Sequence, residues 1–300
     1  MLAPLDPRCQ VVQFSSLPTP RDLDRVAEFM ESYPDVALRA YGGYDGSIDD
    51  LEFLRHFPRL KRFHADALRY HDFKGIDGLR FLPDDVVDLT LGLVKRRYSL
   101  QPLARFTMLR KLYLEGATWK DLDVIGGFSM LDDLTLRSIT LPDLSVLRPL
   151  RRLRSLDIKL GGTRDLSMLP ELAPLAYLEL WMIRGLEDIA PVGELASLQY
   201  LFLQDLARID RLPDMSRMTS LRRLTLENLK RLTDLTPLLT APALEELEVY
   251  NASHMKPEQF ECLVGHPTLR EAAFGLGSKK KYEAVTKMID LPRPGRFVFR

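Results

Sequence analysis

The chain has 300 residues and balances 42 Lys plus Arg against 42 Asp plus Glu, so no global field draws it onto nucleic acid or an anionic membrane. Its two cysteines, Cys9 and Cys262, offer neither a metal-ligand spacing nor a disulfide framework and fit a reducing, cytoplasmic setting. Asp6 and Arg8 interrupt the opening MLAPLDPRCQ where a secretion signal needs apolar residues, and no apolar run reaches the ~18 residues of a bilayer span, so a soluble chain is expected.

In chain order, Cys9/Val12/Phe14 opens a frame of apolar residues spaced by three and then two. Residues 21–32, RDLDRVAEFMES, carry Leu23, Val26, Phe29 and Met30 at helical spacing after Pro20, and they predict a true helix. The frame returns at Tyr33/Val36/Leu38, Leu60/Phe63/Ala65 and Val86/Leu89/Leu91. It then becomes strict as Leu109/Leu112/Leu114, Leu131/Leu134/Leu136, Leu153/Leu156/Ile158, Leu175/Leu178/Leu180, Leu198/Leu201/Leu203, Leu221/Leu224/Leu226 and Leu244/Leu247/Val249. The steps are 22, 22, 22, 23, 23 and 23 residues. Downstream, Leu269/Ala272/Phe274 fits and KKKYEAVTKMI predicts a helix. Phe297 and Phe299 fall 25 residues beyond Ala272 and Phe274 and predict a closing strand. On this reading there are about thirteen turns.

A unit this short cannot bury its own apolar side and must stack on a neighbour. With the first residue of each frame as position 1, positions 4 and 6 alternate with polar residues as in Leu134-Thr135-Leu136, the period of a strand with one buried face. After each strand the spacing changes to three, as in Leu144/Leu147/Leu150, Leu166/Leu169/Leu172 and Leu212/Met215/Met218. That spacing suits a 3₁₀ or single-turn return with its stripe inward. The 23-residue turns shift the trio one place later, as in Ile189/Val192/Leu195. The expected fold is therefore an α/β solenoid, a curved array with parallel strands on its concave face and 3₁₀ or short helical returns on its convex face. One solenoid is expected over 1–300, with irregular N-terminal turns and a cap over 1–85, regular repeats over 86–250 and C-terminal turns and a cap over 251–300. Asp143, Asp165, Asp188 and Asp234 stand where a carboxylate can cap the amides that open the returns.

Stacking turns converts distant sequence into adjacent surface columns. Position 3 reads Lys111, Asp133, Ser155, Tyr177, Tyr200, Arg223 and Glu246, position 5 reads Tyr113, Thr135, Asp157, Glu179, Phe202, Thr225 and Glu248, and position 7 includes Trp181, Gln204, Glu227 and Tyr250. The candidate partner-binding residues are Tyr113, Tyr177, Glu179, Trp181, Tyr200, Phe202, Gln204, Arg223 and Tyr250. Tyr177, Trp181, Tyr200 and Phe202 fall on two adjacent strands, and two readings stand open. Large rings of this kind are favoured anchors for a partner, and they also stabilise a sheet by covering one another. The charges divide as well, with Lys111, Arg137, Arg154 and Lys159 before the cluster and Glu227, Glu245, Glu246 and Glu248 beyond it, interrupted by Arg222 and Arg223. They fit either orientation of a partner or a solvated face.

Chemistry leaves few candidates. Gly275-Leu276-Gly277-Ser278-Lys279 lacks the spacing of a phosphate loop and reads as a turn. The histidines at 56, 64, 71, 254 and 266 form no tight metal set, although His64 and His71 fall near one another in the N-terminal turns. Cys262 reads as a small buried apolar residue. The basic run Lys279, Lys280, Lys281, Lys287, Arg293, Arg296 and Arg300 has no aromatic platform beyond Tyr282, so no nucleic-acid contact is expected. No catalytic residue, metal or cofactor is assigned.

The frame together with Asp143-Leu144-Ser145-Val146-Leu147-Arg148-Pro149-Leu150 resembles the short leucine-rich repeats of bacterial internalins and of the protein-phosphatase regulatory subunit with 22-residue repeats. It is most similar to bacterial cytoplasmic proteins built from such repeats. Those families place Asn at position 9, where this chain has Ala117, Ile139, Gly161, Ile183, Leu206 and Leu229, so apolar side chains are expected to replace the amide ladder. The resemblance implies protein recognition through the concave face, and the chain is expected to bind an unidentified protein without catalysis and to contact no membrane, its oligomeric state left open with a monomer favoured. An alternative is sugar or small-ligand recognition by the aromatic strip with Gln199, Gln204 and Glu179. A lower-ranked alternative is an enzyme with an unrecognised pocket in the N-terminal turns.

Overall fold

The computed structural model describes residues 3–42, 46–66, 74–92 and 97–299, which fall into two compact units. Unit 1 comprises Met1–Ile139 with Pro149–Arg152, and unit 2 comprises Thr140–Arg148 with Leu153–Arg300. In unit 1 the strands are β1 (Val11–Phe14), β2 (Ala37–Tyr41), β3 (Arg62–Asp66), β4 (Asp88–Gly92), β5 (Lys111–Glu115) and β6 (Asp133–Arg137). In unit 2 they are β7 (Ser155–Lys159), β8 (Tyr177–Trp181), β9 (Tyr200–Gln204), β10 (Arg223–Glu227), β11 (Glu246–Tyr250) and β12 (Glu271–Phe274). Within each unit every strand pairs in parallel with the next in chain order. The pairing sets Leu112 beside Leu134 in unit 1 and aligns Leu178, Leu201, Leu224 and Leu247 in unit 2. The expected solenoid of parallel strands with short helical returns is the fold observed.

The leucines at positions 1, 4 and 6 explain the register. Leu175, Leu178, Leu180, Leu198, Leu201 and Leu203 lose all contact with solvent, and each such burial contributes roughly 1.5–3 kcal/mol. A slip of one residue would turn positions 4 and 6 outward. The returns lie on the other side of the strands as 3₁₀ segments, Gln101–Leu103 and Leu122–Gly127 in unit 1, Ser145–Leu147, Ala190–Glu194 and Thr236–Thr240 in unit 2. Between β9 and β10 the Leu212/Met215/Met218 trio is buried in successive turns without a 3₁₀ helix. The amide of Met218 bonds to the Met215 carbonyl there, and that of Leu221 to Met218. Each aspartate expected to cap a return accepts the amide two residues on, Asp143 from Ser145 (2.8 Å), Asp165 from Ser167 (2.9 Å), Asp188 from Ala190 (2.8 Å) and Asp234 from Thr236 (2.8 Å).

At position 9 Ile139, Ile183, Leu206 and Leu229 are buried, so apolar packing does replace the amide ladder there, whereas Ala117 is exposed and Trp119, two residues on, is buried instead. The backbone makes the missing connections at position 8, which the sequence reading did not single out. Ser138, Leu160, Met182, Asp205, Asn228 and Asn251 all adopt the left-handed conformation, with φ between 49° and 59°. From it the amides of Leu160, Met182, Asp205 and Asn228 reach the position-7 carbonyls of the following turn, Trp181, Gln204, Glu227 and Tyr250, at 2.8–3.0 Å. These bonds carry the ladder beyond the last strand residue.

Both predicted helices form. Helix α1 (Pro20–Glu31) starts with Pro20 in its first turn behind Thr19, whose hydroxyl accepts the Asp22 amide, and buries Leu23 and Met30. Helix α2 (Lys279–Ile289) buries Val285 and stops at Asp290, which is left-handed with φ 49°. The expected strand at Phe297 and Phe299 is absent. Residues 291–299 run without sheet pairing, because Pro292 and Pro294 have no amide to give a ladder. Main chain meets main chain at the sheet edge where the Ala272 amide donates to the Pro292 carbonyl at 2.8 Å.

Turns also approach one another closely on the return side. A Cβ on Gly193 would fall 2.2 Å from the Asp214 carbonyl oxygen, whereas one on Gly127 would meet nothing within 4 Å. Gly193→Ala is expected to lower the free energy of unfolding by about 1–3 kcal/mol in urea titrations. Gly127→Ala should shift it by less than ~0.5 kcal/mol, and equal effects would contradict the packing described.

Candidate functional site

The register of unit 2 assembles the strand face. Tyr177, Tyr200, Arg223 and Glu246 form one row, Glu179, Phe202, Thr225 and Glu248 a second, and Trp181, Gln204, Glu227 and Tyr250 a third. Eight of the nine candidate residues therefore meet on this face, while Tyr113 lies on β5 in unit 1 and hydrogen-bonds Glu115 at 3.0 Å. The Tyr177 and Tyr200 rings meet edge to face with centroids 5.2 Å apart. Their hydroxyls reach Glu179 (2.9 Å) and Thr225 (3.1 Å). Trp181 Nε1 donates to Asp205 at 3.0 Å and the Tyr250 hydroxyl to Glu248 at 3.2 Å. Glu179 is only 7% exposed and accepts from both Tyr177 and Lys159, the latter at 2.9 Å. Phe202 and Gln204 remain half-buried in the middle of the face.

The chain's own C-terminal segment lies on this cluster. The Phe297 centroid is 5.2 Å from that of Tyr200, Phe299 is 6.4 Å from Tyr177, and the two phenylalanines meet at 5.0 Å. The guanidinium carbons of Arg222 and Arg223 stand 5.3 and 5.2 Å from the Phe297 centroid. Main-chain contacts complete the hold. Arg223 Nη2 donates to the Gly295 carbonyl at 2.6 Å, Arg222 Nη1 to the Val298 carbonyl at 3.0 Å, and the Gly295 amide donates to Glu271 at 3.2 Å. Both arginines are also paired within the sheet, Arg222 with Glu245 at 2.8 Å and Arg223 with Glu246. Aromatic pairs of this geometry add about 0.5–1.5 kcal/mol each, and cation–π contacts about 0.5–1 kcal/mol near solvent. Yet Phe299 is 50% and Val298 68% exposed, so the segment is a surface strap and not part of the core. The repeat period concealed this placement, and the signal that could have revealed it is the Pro-x-Pro-Gly run that ends two residues before the first ring.

The tyrosines of the face stay protonated. Burial, with Glu179 beside it, pushes the Tyr177 phenol up strongly, burial raises Tyr200, and burial with Glu248 raises Tyr250. In unit 1 burial next to Glu115 moves Tyr113 up to about 12. Such groups donate hydrogen bonds and supply ring area, but none is poised as a base near neutral pH. The charge bands resolve into cross-strand pairs, including Arg137 with Glu115 (3.5 Å), Lys111 with Asp133 (3.9 Å) and Arg222 with Glu245. Much of the band is thus neutralised locally.

An open cleft of about 600 Å³ lies on the strand face of unit 1, lined by Arg62, His64, Asp88, Thr90, Lys111 and Tyr113 among others. Several of its polar groups meet within the cleft, His64 and Asp88 at 3.2 Å and Arg62 with Asp35 and Asp88 at 3.3 and 3.5 Å, while Arg62 Nε is buried without a hydrogen-bond partner. His71 and Arg300 lie outside the described residues. Among the described residues no group of three or more His, Cys, Asp or Glu is placed to hold a metal ion, and no helix is long and apolar enough to cross a membrane. Cys262 is half-buried, its thiol pushed up by desolvation, which keeps it a poor nucleophile. In the basic run, Lys281 Nζ is held by the carbonyls of Ser253 and Met255 at 2.6 and 2.9 Å.

No protein-family model and no curated protein matches the sequence. Solved structures do match. An internalin from Listeria monocytogenes is 22% identical with a TM-score of 0.58, over 90% of this chain and 79% of that one. A chain of the yeast Rad7–Elc1 complex is 18% identical with a TM-score of 0.53, over 91% and 78%. The class that fold and face define is a leucine-rich-repeat solenoid. At these identities the likeness is one of fold, and the internalin belongs to one of the families that the repeat frame resembles.

The raised phenols have a measurable consequence. In the unfolded chain they ionise near their ordinary value of 10.0, below their folded values, so above that pH the unfolded state binds fewer protons and stability falls as pH rises. In the folded protein, Tyr177→Phe should leave the tyrosinate absorbance gained between about pH 9 and 10.5 unchanged, because burial beside Glu179 keeps that phenol protonated there. Loss of one tyrosine's worth of that signal would contradict the buried arrangement.

Proposed function

We propose that the chain is a non-enzymatic scaffold that binds one protein partner on the strand face of unit 2. The observation that carries this reading is the aromatic strip of Tyr177, Trp181, Tyr200 and Phe202, which the register concentrates on two adjacent strands. Rings on such a face lose their remaining water contact only when something docks, and aromatic and arginine side chains are the commonest anchors of protein interfaces. Phe202, Trp181 and Gln204 are the contact points, and Tyr250 extends the row. Recognition works here by occlusion or assembly, with no bond made or broken. The sugar reading is weaker because Glu179, the acid it would use, is committed to Lys159 and Tyr177. The absence of any disulfide between Cys9 and Cys262 fits a cytoplasmic site of action, and a monomer suffices for the geometry.

Photo-cross-linking in the source cell tests the reading. A benzophenone side chain at position 202 is expected to yield a discrete protein adduct, whereas one at Leu239, exposed on the return side, yields none. No adduct at 202, or the same adducts at both positions, would overturn it. Phe202→Ala should weaken recovery of the same partner while leaving the melting temperature within a few degrees of the unaltered protein.

A further inference from the structure

The strap identifies the chemistry of the occupant. We propose that the Tyr177–Tyr200–Arg222–Arg223 surface is a receptor for an extended protein segment carrying two aromatic residues at i and i+2, and that Gly295–Phe299 is its internal ligand. The inference rests on the partner-binding reading and sharpens it.

Three features of the seat point to an extended chain rather than a helix or a small molecule. The first is alternation. Phe297 and Phe299 turn their rings toward the sheet while Val298 between them faces solvent, the pattern of an extended segment with every second side chain engaged. The second is recognition of backbone. Arg222 and Arg223 each give one terminal nitrogen to a main-chain carbonyl, of Val298 and Gly295 respectively, which any sequence could supply. The third is preorganisation. Glu245 and Glu246 fix the two guanidinium groups from the neighbouring strand, and Arg223 is only 6% exposed, so its fork is held in place before any ligand arrives. Ring selectivity then comes from Tyr200 and Tyr177, and chain selectivity from the two arginines.

The strap does not behave as core. It has no sheet pairing along its length, two prolines precede it, and its outermost ring is half exposed. A tethered ligand of this kind competes through effective concentration, so a foreign segment of the same chemistry binds with an affinity reduced by the fraction of molecules whose face is open. Displacing the strap also widens the exposed aromatic strip toward Phe202, which joins the two halves of the face into one surface.

The test uses the full chain. A fluorescently labelled peptide reproducing residues 291–299 is titrated, by anisotropy, with the unaltered protein and with the variant Phe297→Ser/Phe299→Ser, whose own strap has lost both rings. The proposal expects the peptide to bind the variant at least about tenfold more tightly than the unaltered chain. It also expects binding to the variant to be lost when the two phenylalanines of the peptide become serine, and to weaken at least about fivefold on adding Arg222→Gln. Circular dichroism melting of each variant confirms that it is folded. Absence of peptide binding to the folded variant, equal binding to both chains, or binding indifferent to the phenylalanines would overturn the proposal. So would a dimer of the unaltered chain held by exchanged straps, since a second copy would then be the occupant. Failure of the peptide while position 202 still yields a cellular adduct refutes the ligand chemistry alone. Peptide binding without adducts refutes the partner-binding reading instead.

Discussion

A turn of 22 or 23 residues has no interior of its own. Each leucine at positions 1, 4 and 6 can leave water only by meeting its counterpart in the adjacent turn, so burial of this stripe dictates parallel strands in register. The other properties of the fold are consequences of that constraint. The left-handed residue at position 8 sends the backbone out of the strand while its amide reaches the next turn, and the aspartates before the returns satisfy the first amides of the outer segment.

The same constraint makes the face. Because register is fixed by leucines that point inward, the outward side chains do not set it and can form columns of varied chemistry. In unit 2 those columns hold rings at one place and opposite charges beside them. Cross-strand pairs such as Lys159 with Glu179 neutralise the charges at short range, which leaves ring area and a few fixed donors as the features available for recognition. The strap exploits both: two phenylalanines meet the tyrosines, and two ion-paired arginines hold its carbonyls.

What was legible in the sequence follows from how local the cause is. The strands, α1, α2 and the aspartate caps depend on spacings of two to four residues, and periodicity reports these directly. The rows of Tyr177, Tyr200 and Arg223 followed from the repeat step alone. Position 8 was overlooked because Leu160 and Met182 are not residues that advertise a left-handed backbone, although Asn228 and Asn251 at the equivalent place are. The closing strand was misread because Phe297 and Phe299 continue the apolar period, whereas Pro292 and Pro294 remove the donors a strand would need. Docking of those rings on Tyr177 and Tyr200 is a contact between segments far apart in the chain, outside the repeat relation, and the local Pro-x-Pro-Gly run signals only that the segment leaves the sheet. The pairing of Arg137 with Glu115 illustrates a further limit, since band-wise charge counts ignore the neighbouring turn.

The claim on which the account of the strap rests is that Phe297 and Phe299 lie on Tyr200 and Tyr177 of the unit 2 face. Nuclear Overhauser contacts in the 300-residue chain with selectively labelled phenylalanine and tyrosine measure this directly. The account predicts cross-peaks from the Phe297 ring to Tyr200 and from the Phe299 ring to Tyr177, with ring shifts displaced from unfolded values. Phenylalanine signals at positions 297 and 299 with unfolded shifts and no contact to either tyrosine would contradict it.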